Sequence, residues 1–289
     1  MKPIIATKLS AKIESLPMEQ GPRMHLGASE IGEECVRRAW YGFRWASNIK
    51  HKNKLLRLFN RGHDEENRFE DILKKAGCEI YTKDLVTGEQ FTISDFDGHF
   101  GGSLDGIIYA IPYLPNEWCL VEFKTSADKA FKELHGWNSK SKKYDTSLGK
   151  GVRSAKPVHY AQMQIYMHYK VLKYALYCVV NKNDDTLHFE IVSYDTACIP
   201  ALQQKAKNAI YSDEPPPKID KNPSSFKCLF CPHKGICQLN ETPARNCRTC
   251  MNVIMLPEGQ WKCGLTNKLK DKKGLLNGCD NYQLSGKFS

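Results

Sequence analysis

Asp105, Glu122 and Lys124 are the first residues of this chain whose types and spacing suggest chemistry. In "LDGIIYAIPYLPNEWCLVEFKTS" an aspartate opens one apolar run, and a Glu-x-Lys step interrupts the next. If "WCLVEFKTS" is a β-strand, Glu122 and Lys124 share one face and Phe123 takes the other. A carboxylate and an ammonium on so apolar a face must be paired, metal-bound or catalytic. A further carboxylate, Glu66, fills the gap in a stripe made by Phe59, Gly62, Phe69, Leu73 and Ala76. Their 3- and 4-residue spacing predicts one buried helix face, with Asp64 and Glu65 pointing elsewhere. Each residue has a plainer reading: Glu66 paired with Arg37 or Arg38, Asp105 in a Leu-Asp-Gly turn, and Glu122–Lys124 as an edge-strand charge pair. Taken together they form a set of hard oxygen donors suited to Mg²⁺ or Mn²⁺, with a lysine alongside. A cation in such a site polarises a phosphodiester and acidifies water, and the lysine steadies the charge that develops.

The elements that must position these groups are legible in outline. "SEIGEECVRRAWYGFRWA" predicts a helix capped by Ser29, with Gly32 and Glu33 in its first turns. Residues 54–76 predict an amphipathic helix or helix pair that stops at Gly77. The runs "EIYTKDLV", "EQFTIS", "HFGGSLDGIIYAI" and "EWCLVEFKT" read as strands, with Asp97-Gly98 as a tight hairpin turn. Helices are expected over "SADKAFKELHGW", "VHYAQMQIYMHYKVLK" and, capped by Asp195, "DTACIPALQQKAKNAIYS". The runs "YALYCVVNK" and "TLHFEIVSY" predict two more strands. "DEPPPKIDKNPSS" reads as an extended linker. This order implies an α/β core with a mixed sheet flanked by helices, and a small C-terminal cysteine-rich module. The expected divisions are an N-terminal extension over 1–28, a core over 29–240 and a basic module over 241–289.

The motifs in this order resemble the PD-(D/E)xK nuclease superfamily, which has a restriction-endonuclease-like core. Within it they resemble the RecB-like and phage recombination exonucleases, over roughly residues 29–237. The resemblance implies that Glu66 (four residues after Gly62), Asp105, Glu122 and the backbone carbonyl of Phe123 are metal ligands, with Lys124 as the catalytic lysine. His63 is an alternative for the helix ligand, but it lies off the apolar stripe. RecB-like members add a Q-x-x-x-Y helix, supplied here by Gln162 and Tyr166 in "QMQIY", which implies a role in setting the site against the DNA strand.

Twelve cysteines in a chain without a secretory leader pattern point to metal rather than a disulfide framework, and seven of them fall between Cys228 and Cys279. Cys228, Cys231 and Cys237 have C-x2-C-x5-C spacing, so a fourth ligand must come from elsewhere. One solution is a zinc knuckle closed by His233; another is simple buried thiols. Nucleases of the AddB and CRISPR-associated RecB-like kinds carry a 4Fe–4S staple with one cysteine before the nuclease motifs and three after. The resemblance therefore implies Cys35 as the fourth ligand. Cys247, Cys250, Cys263 and Cys279 suit a structural Zn²⁺, since so short a segment with few aliphatics needs a staple; the alternative is a mobile tail with ordinary thiols. Cys78, Cys119, Cys178 and Cys198 sit in apolar patterns and read as core.

A formal charge of +10 favours a polyanionic partner, and no run is long enough to span a membrane. A cytoplasmic protein is expected. The segment 138–156 carries Lys140, Lys142, Lys143, Lys150, Arg153 and Lys156, suited to phosphate contacts without base readout, or to a solvated or disordered loop. Trp137 at its start suits base stacking or a place in the core. Lys268, Lys270, Lys272 and Lys273 give the tail a basic edge. The expected activity is an Mg²⁺- or Mn²⁺-dependent deoxyribonuclease, foremost an exonuclease of recombination, repair or degradation. Its alternatives are a structure-selective or single-strand endonuclease, an inactive DNA-binding or assembly module, and a zinc protein that only binds nucleic acid. No Walker-type phosphate loop is present, so DNA unwinding would need a helicase partner; a single-strand annealing protein is another candidate partner.

Overall fold

The computed structural model describes residues 7–16, 21–49 and 53–288. Residues 1–6 and 17–20 of the expected N-terminal extension lie outside it. The chain forms α1 (Thr7–Glu14), β1 (Leu26–Gly27), α2 (Val36–Phe43), α3 (Asn53–Lys75), β2 (Glu79–Tyr81), β3 (Thr92–Asp95), β4 (Phe100–Ser103), β5 (Gly106–Tyr109) and β6 (Cys119–Ser126). Next come α4 (Asp128–His135), a short hairpin of β7 (Trp137–Asn138) and β8 (Lys143–Tyr144), α5 (Gly151–Ala155), α6 (Pro157–Lys170), β9 (Tyr174–Asn181), β10 (Leu187–Ser193) and α7 (Ile199–Tyr211). The C-terminal part holds α8 (Phe226–Leu229), α9 (Lys234–Leu239), β11 (Val253–Met255), β12 (Trp261–Cys263) and α10 (Lys272–Leu276).

The architecture is mixed α/β. A five-stranded sheet has the order β10-β9-β6-β5-β2, with β6 and β9 parallel and the other neighbours antiparallel. The parallel pair requires a long crossover, and α4, α5 and α6 supply it. The alternation expected of β6 holds. Cys119, Val121 and Phe123 pack with Phe69 and Leu73 of α3, whereas Leu120 packs on the other face with Met163 and Tyr166 of α6. Because β6 is the central strand, the edge-strand reading of Glu122 and Lys124 does not apply.

Several expectations change in detail. The helix expected from Ser29 starts instead at Val36, with Cys35 at the N-cap; Ser29 lies in a short 3₁₀ turn. Gly32 explains the interruption: a Cβ there would sit 2.5 Å from the Val158 Cα, so the chain runs backbone-to-backbone against α6 before α2 can begin. The strand expected over 79–86 stops at Tyr81, because the Asp84 side chain accepts from the amides of Val86 and Thr87 and turns the chain. The run "HFGGSLDGIIYAI" is two strands in two sheets. β4 joins β1 and β3, while β5 joins the large sheet, and the switch falls at Leu104–Asp105. The expected helix or helix pair over 54–76 is one helix, Asn53–Lys75, and Gly77 follows it at φ +87°. Phe59, placed on its buried stripe, is 39% exposed, since only the later turns lie on the sheet. The hairpin turn at Asp97-Gly98 forms, with Gly98 at φ +79° and Asp95 opposite Phe100. The basic segment 138–156 is not a bare loop. Its hairpin is pinned where the Tyr144 hydroxyl donates to Asp184 (2.6 Å) and accepts from Asn181 (2.9 Å). Cys198 is half-buried rather than core, with its thiol 3.1 Å from the Asp195 carbonyl.

Two buried arginines hold the peripheral parts to this core. Arg44 donates to the carbonyls of Ala209 (2.8 Å), Ile210 (3.0 Å) and Ser212 (3.0 Å), capping the end of α7. Arg248 reaches from the C-terminal segment to the carbonyls of Phe43 and Met24, both at 2.7 Å. Its guanidinium stacks over Trp45 (3.9 Å) and Trp261 (4.4 Å). Trp261 and Leu275 of the same segment belong to the main core cluster. Replacing Arg248 by Ala would leave two buried carbonyls without donors and a void between two indoles. The expected loss is about 3 kcal/mol, read as a lower midpoint in urea. An unchanged midpoint would mean that the C-terminal segment adds nothing to the stability of the core.

Candidate active site

The geometry around β6 is built by three elements. On the α6 face, Glu122 is 0% exposed and Lys124 lies beside it, its ammonium in direct contact with Glu122 Oε1. Lys124 Nζ also donates to the Phe123 carbonyl (3.0 Å) and stands 3.8 Å from Asp105 Oδ2. Asp105 occupies the break between β4 and β5, where Oδ2 accepts from the Phe123 amide at 2.8 Å. That bond takes Asp105 out of the turn expected of Leu-Asp-Gly and turns its carboxylate toward β6. Glu66 comes from α3, one turn before Phe69, whose ring stacks on Phe123 at 5.1 Å. The alternative ion pair of Glu66 with Arg37 or Arg38 is not formed. Arg38 pairs with Glu33 (3.1 Å), and Arg37 donates to Pro216 (2.9 Å) and Tyr41 (3.0 Å). The partner of Glu66 is the more exposed His63, at 3.2 Å.

Electrostatics ties the three carboxylates together. Burial pushes Glu122 above the usual carboxylate range; Lys124 opposes this, and the charges of Asp105 and Glu66 reinforce it. Burial and then Asp105 raise Glu66 as well. Lys124 is held above its ordinary value, because Glu122 and Asp105 outweigh its desolvation. One ammonium therefore serves several carboxylates, and Glu122 Oε2 remains buried without a hydrogen-bond partner.

Gln162 and Tyr166 are buried on the face of α6 toward β6, with Gln162 Nε2 3.4 Å from the Tyr166 hydroxyl. Burial raises Tyr166, and the charges of Glu122 and Asp105 add to it. Gly102 makes room for that hydroxyl: a Cβ there would approach it to 2.6 Å. Two neighbours were missed in the sequence. Tyr177 is the ladder partner of Glu122, and its hydroxyl lies 2.6 Å from His159 Nδ1. Neither carried a local signal, since a tyrosine in an apolar strand and a histidine in a helix are ordinary.

Cys35, Cys228, Cys231 and Cys237 line one cavity of about 410 Å³ together with Arg37, Arg38, Tyr41 and His233. Burial raises the thiols of Cys231 and Cys237, and Cys35 adds to both. His233 Nδ1 lies 2.9 Å from the Ser47 hydroxyl. In the C-terminal segment Cys250, Cys263 and Cys279 all act on Cys247, whose thiol is raised first by burial. Cys263 is lowered by the amide and hydroxyl of Thr266 and by the Leu265 amide. Among the described residues, no three His, Cys, Asp or Glu side chains already stand together as a metal cage.

Of the basic residues in 138–156, Lys150 pairs with Glu133 (2.8 Å) and Arg153 with Asp195 (3.3 Å), while Lys140, Lys142 and Lys143 are exposed on the hairpin. Trp137 is half-buried, with the Lys132 ammonium 4.0 Å above its ring. Among the described residues no helix is long and apolar enough to cross a membrane.

No family model matches this chain, and no curated protein matches it. Among solved structures it is similar to SSO0001, at 17% identity and TM-score 0.40 over 82% of this chain and 98% of that one. It is also similar to the alkaline exonuclease LHK-Exo from Laribacter hongkongensis, at 15% identity and TM-score 0.38, over 65% of this chain and 87% of that one. The complex of LHK-Exo with dAMP matches at 15% identity and TM-score 0.35, over 63% and 88%.

The raised carboxylates have a consequence for stability. A group whose pKa is raised by folding contributes stability below its unfolded value, and that contribution is lost as pH rises through the folded value. For Glu122 and Glu66 the loss begins in the normal carboxylate range and continues above it, up to their raised values. In metal-free buffer the thermal midpoint should therefore fall from weakly acidic to alkaline pH. Glu122→Gln, which keeps the shape without the charge, should flatten that fall and exceed the native midpoint at alkaline pH. A Gln variant less stable than native there would show that Lys124 outweighs burial.

Proposed function

We propose that this chain is a metal-dependent nuclease of the PD-(D/E)xK type, hydrolysing phosphodiester bonds in DNA and working foremost as an exonuclease. The observation that carries the reading is the unpartnered Oε2 of Glu122, buried at the centre of the sheet beside two further carboxylates. A buried carboxylate left with one ammonium is costly, and a hard divalent cation is the partner that oxygen donors of this kind fit. Glu66, Asp105, Glu122 and the Phe123 carbonyl would hold Mg²⁺ or Mn²⁺. When bound, the cation supplies Lewis acidity to the phosphate and acidity to water. Lys124 supplies a fixed positive charge where negative charge develops, and its contacts with Glu122 and Phe123 hold it there. Gln162 and Tyr166 orient the strand, and Lys140, Lys142, Lys143, Lys150, Arg153 and Lys156 take its phosphates.

The same reading assigns Cys35, Cys228, Cys231 and Cys237 to a 4Fe–4S cluster. An all-thiol donor set around one cavity suits it. Cys247, Cys250, Cys263 and Cys279 are assigned to a structural Zn²⁺, with amides from Leu265 and Thr266 aimed at Cys263 as is suited to a bound thiolate. The same reading takes 29–240 as the nuclease domain and 241–289 as a zinc-binding module.

End-labelled linear DNA, with a closed circle as control, tests the catalytic reading. Degradation of the linear form should require Mg²⁺ or Mn²⁺, and Glu122→Ala should lower it by about a thousandfold or more. Cleavage of the circle would make the enzyme an endonuclease, and metal-independent binding without cleavage would leave an inactive module. Protein purified without oxygen should be brown, with iron and sulfide in equal amounts, and Cys35→Ala should remove the colour while leaving the zinc. Colourless native protein holding only zinc would replace the cluster assignment.

A further inference from the structure

The Gln162–Tyr166 pair is the later part of a longer stripe. His159 stands three residues before Gln162 and seven before Tyr166, so the three share one face of α6. Its Nδ1 lies 2.6 Å from the hydroxyl of Tyr177. Tyr177 is opposite Glu122 in the parallel ladder, on the face that carries Glu122 and Lys124. Both Lys124 and Lys156 act on the imidazole; with burial as the larger cause, they draw its pKa down to about 3. Two lysines from separate places thus act on this ring. One lies inside the acidic group, and the other ends the basic segment.

The hydrogen-bond roles depend on which ring nitrogen carries the proton. In the tautomer that suits a phosphate, the Tyr177 hydroxyl, kept protonated by burial, donates to Nδ1. A neutral imidazole that accepts at Nδ1 carries its own proton at Nε2, which points away from Tyr177 across the ring. His159 is only half-buried. In that tautomer the ring, held by Tyr177, offers an N–H donor within the influence of both Lys124 and Lys156. A group of carboxylates repels a phosphate unless donors flank it, and a neutral N–H beside an ammonium matches two phosphate oxygens.

We propose that His159, oriented by Tyr177, binds a phosphate of the nucleic-acid strand next to the acidic group, with Lys156 as its second donor. The inference rests on the nuclease reading for the identity of the ligand as a phosphodiester strand. In it His159 touches substrate and Tyr177 is a positioning residue.

The test is binding of a short fluorescent DNA oligonucleotide by the full chain in EDTA, run beside Mn²⁺-dependent cleavage. His159→Ala should weaken binding by about tenfold. His159→Gln places its amide N–H near the former Nε2 and should recover most of the affinity. His159→Asn reproduces only the Nδ1 end, facing Tyr177, and should not. Tyr177→Phe should raise KM several-fold with little change in kcat. Equal affinity in all variants, no binding by the native chain, or rescue by Asn instead of Gln would overturn the proposal; rescue by Asn would mark the ring as a structural prop for Tyr177. Should the native chain bind without cutting, the nuclease reading falls while the Gln and Asn pair still decides the role of His159.

Discussion

Burying a carboxylate at the middle of a five-stranded sheet is the constraint around which the other elements are arranged. Glu122 has neither water nor a full set of donors, and desolvation dominates its titration. A lysine on the same face lessens that cost but does not remove it. Asp105 and Glu66 approach the same region, and both act against the ionised form of Glu122. A fold that needed only stability would place an apolar residue here, as it does at Leu120 two positions earlier. The cost is concentrated where the chain gathers hard oxygen donors, which is the physical basis for treating this group as a candidate site.

The site was legible in the sequence to the extent that it is periodic. Alternation along β6 survives into the structure because a central strand packed on both sides preserves the period of two, so Glu122 and Lys124 share a face as their spacing predicts. The 3- and 4-residue spacing of α3 and α6 likewise places Glu66, Gln162 and Tyr166 toward the sheet. Contacts decided by register between distant segments were not legible. Tyr177 matters because the β6–β9 ladder sets it opposite Glu122, and His159 matters because it meets Tyr177. Neither residue type, in an apolar strand or an amphipathic helix, announces that.

The same distinction accounts for the elements whose bounds moved. The run through Ser103 and Gly106 has strand composition throughout, yet it changes sheets where the Asp105 carboxylate takes the Phe123 amide. The helix expected from Ser29 has good local propensity, yet Gly32 is committed to close backbone contact with α6, 126 residues away in sequence. In both places a tertiary contact overrides a local preference. Arg248 is a stronger case. Set between Cys247 and Cys250 it carries no local signal, whereas its guanidinium is one of the most enclosed cations among the described residues, and burial lowers its pKa to about 9.

These contacts converge on the region from Met24 to Ser47. Arg248 fastens the C-terminal segment to the carbonyls of Met24 and Phe43, and Asn246 donates to the Trp45 carbonyl at 2.9 Å. Cys35, at the head of α2, faces the cavity shared with Cys228, Cys231 and Cys237. The other side of this region reaches the acidic group. Ala28 packs where Gly102 admits the Tyr166 hydroxyl, with only 3.1 Å between the Ala28 Cβ and the position a Gly102 Cβ would take. Residues of this region thus touch both the C-terminal segment and the surroundings of the helix that lines the candidate site. Displacing them would crowd Tyr166 and shift the α6 stripe, because packed interiors transmit displacement rather than absorb it. Closure of the chain ends and the geometry of the site are in this sense one packing problem, solved around residues 24–47.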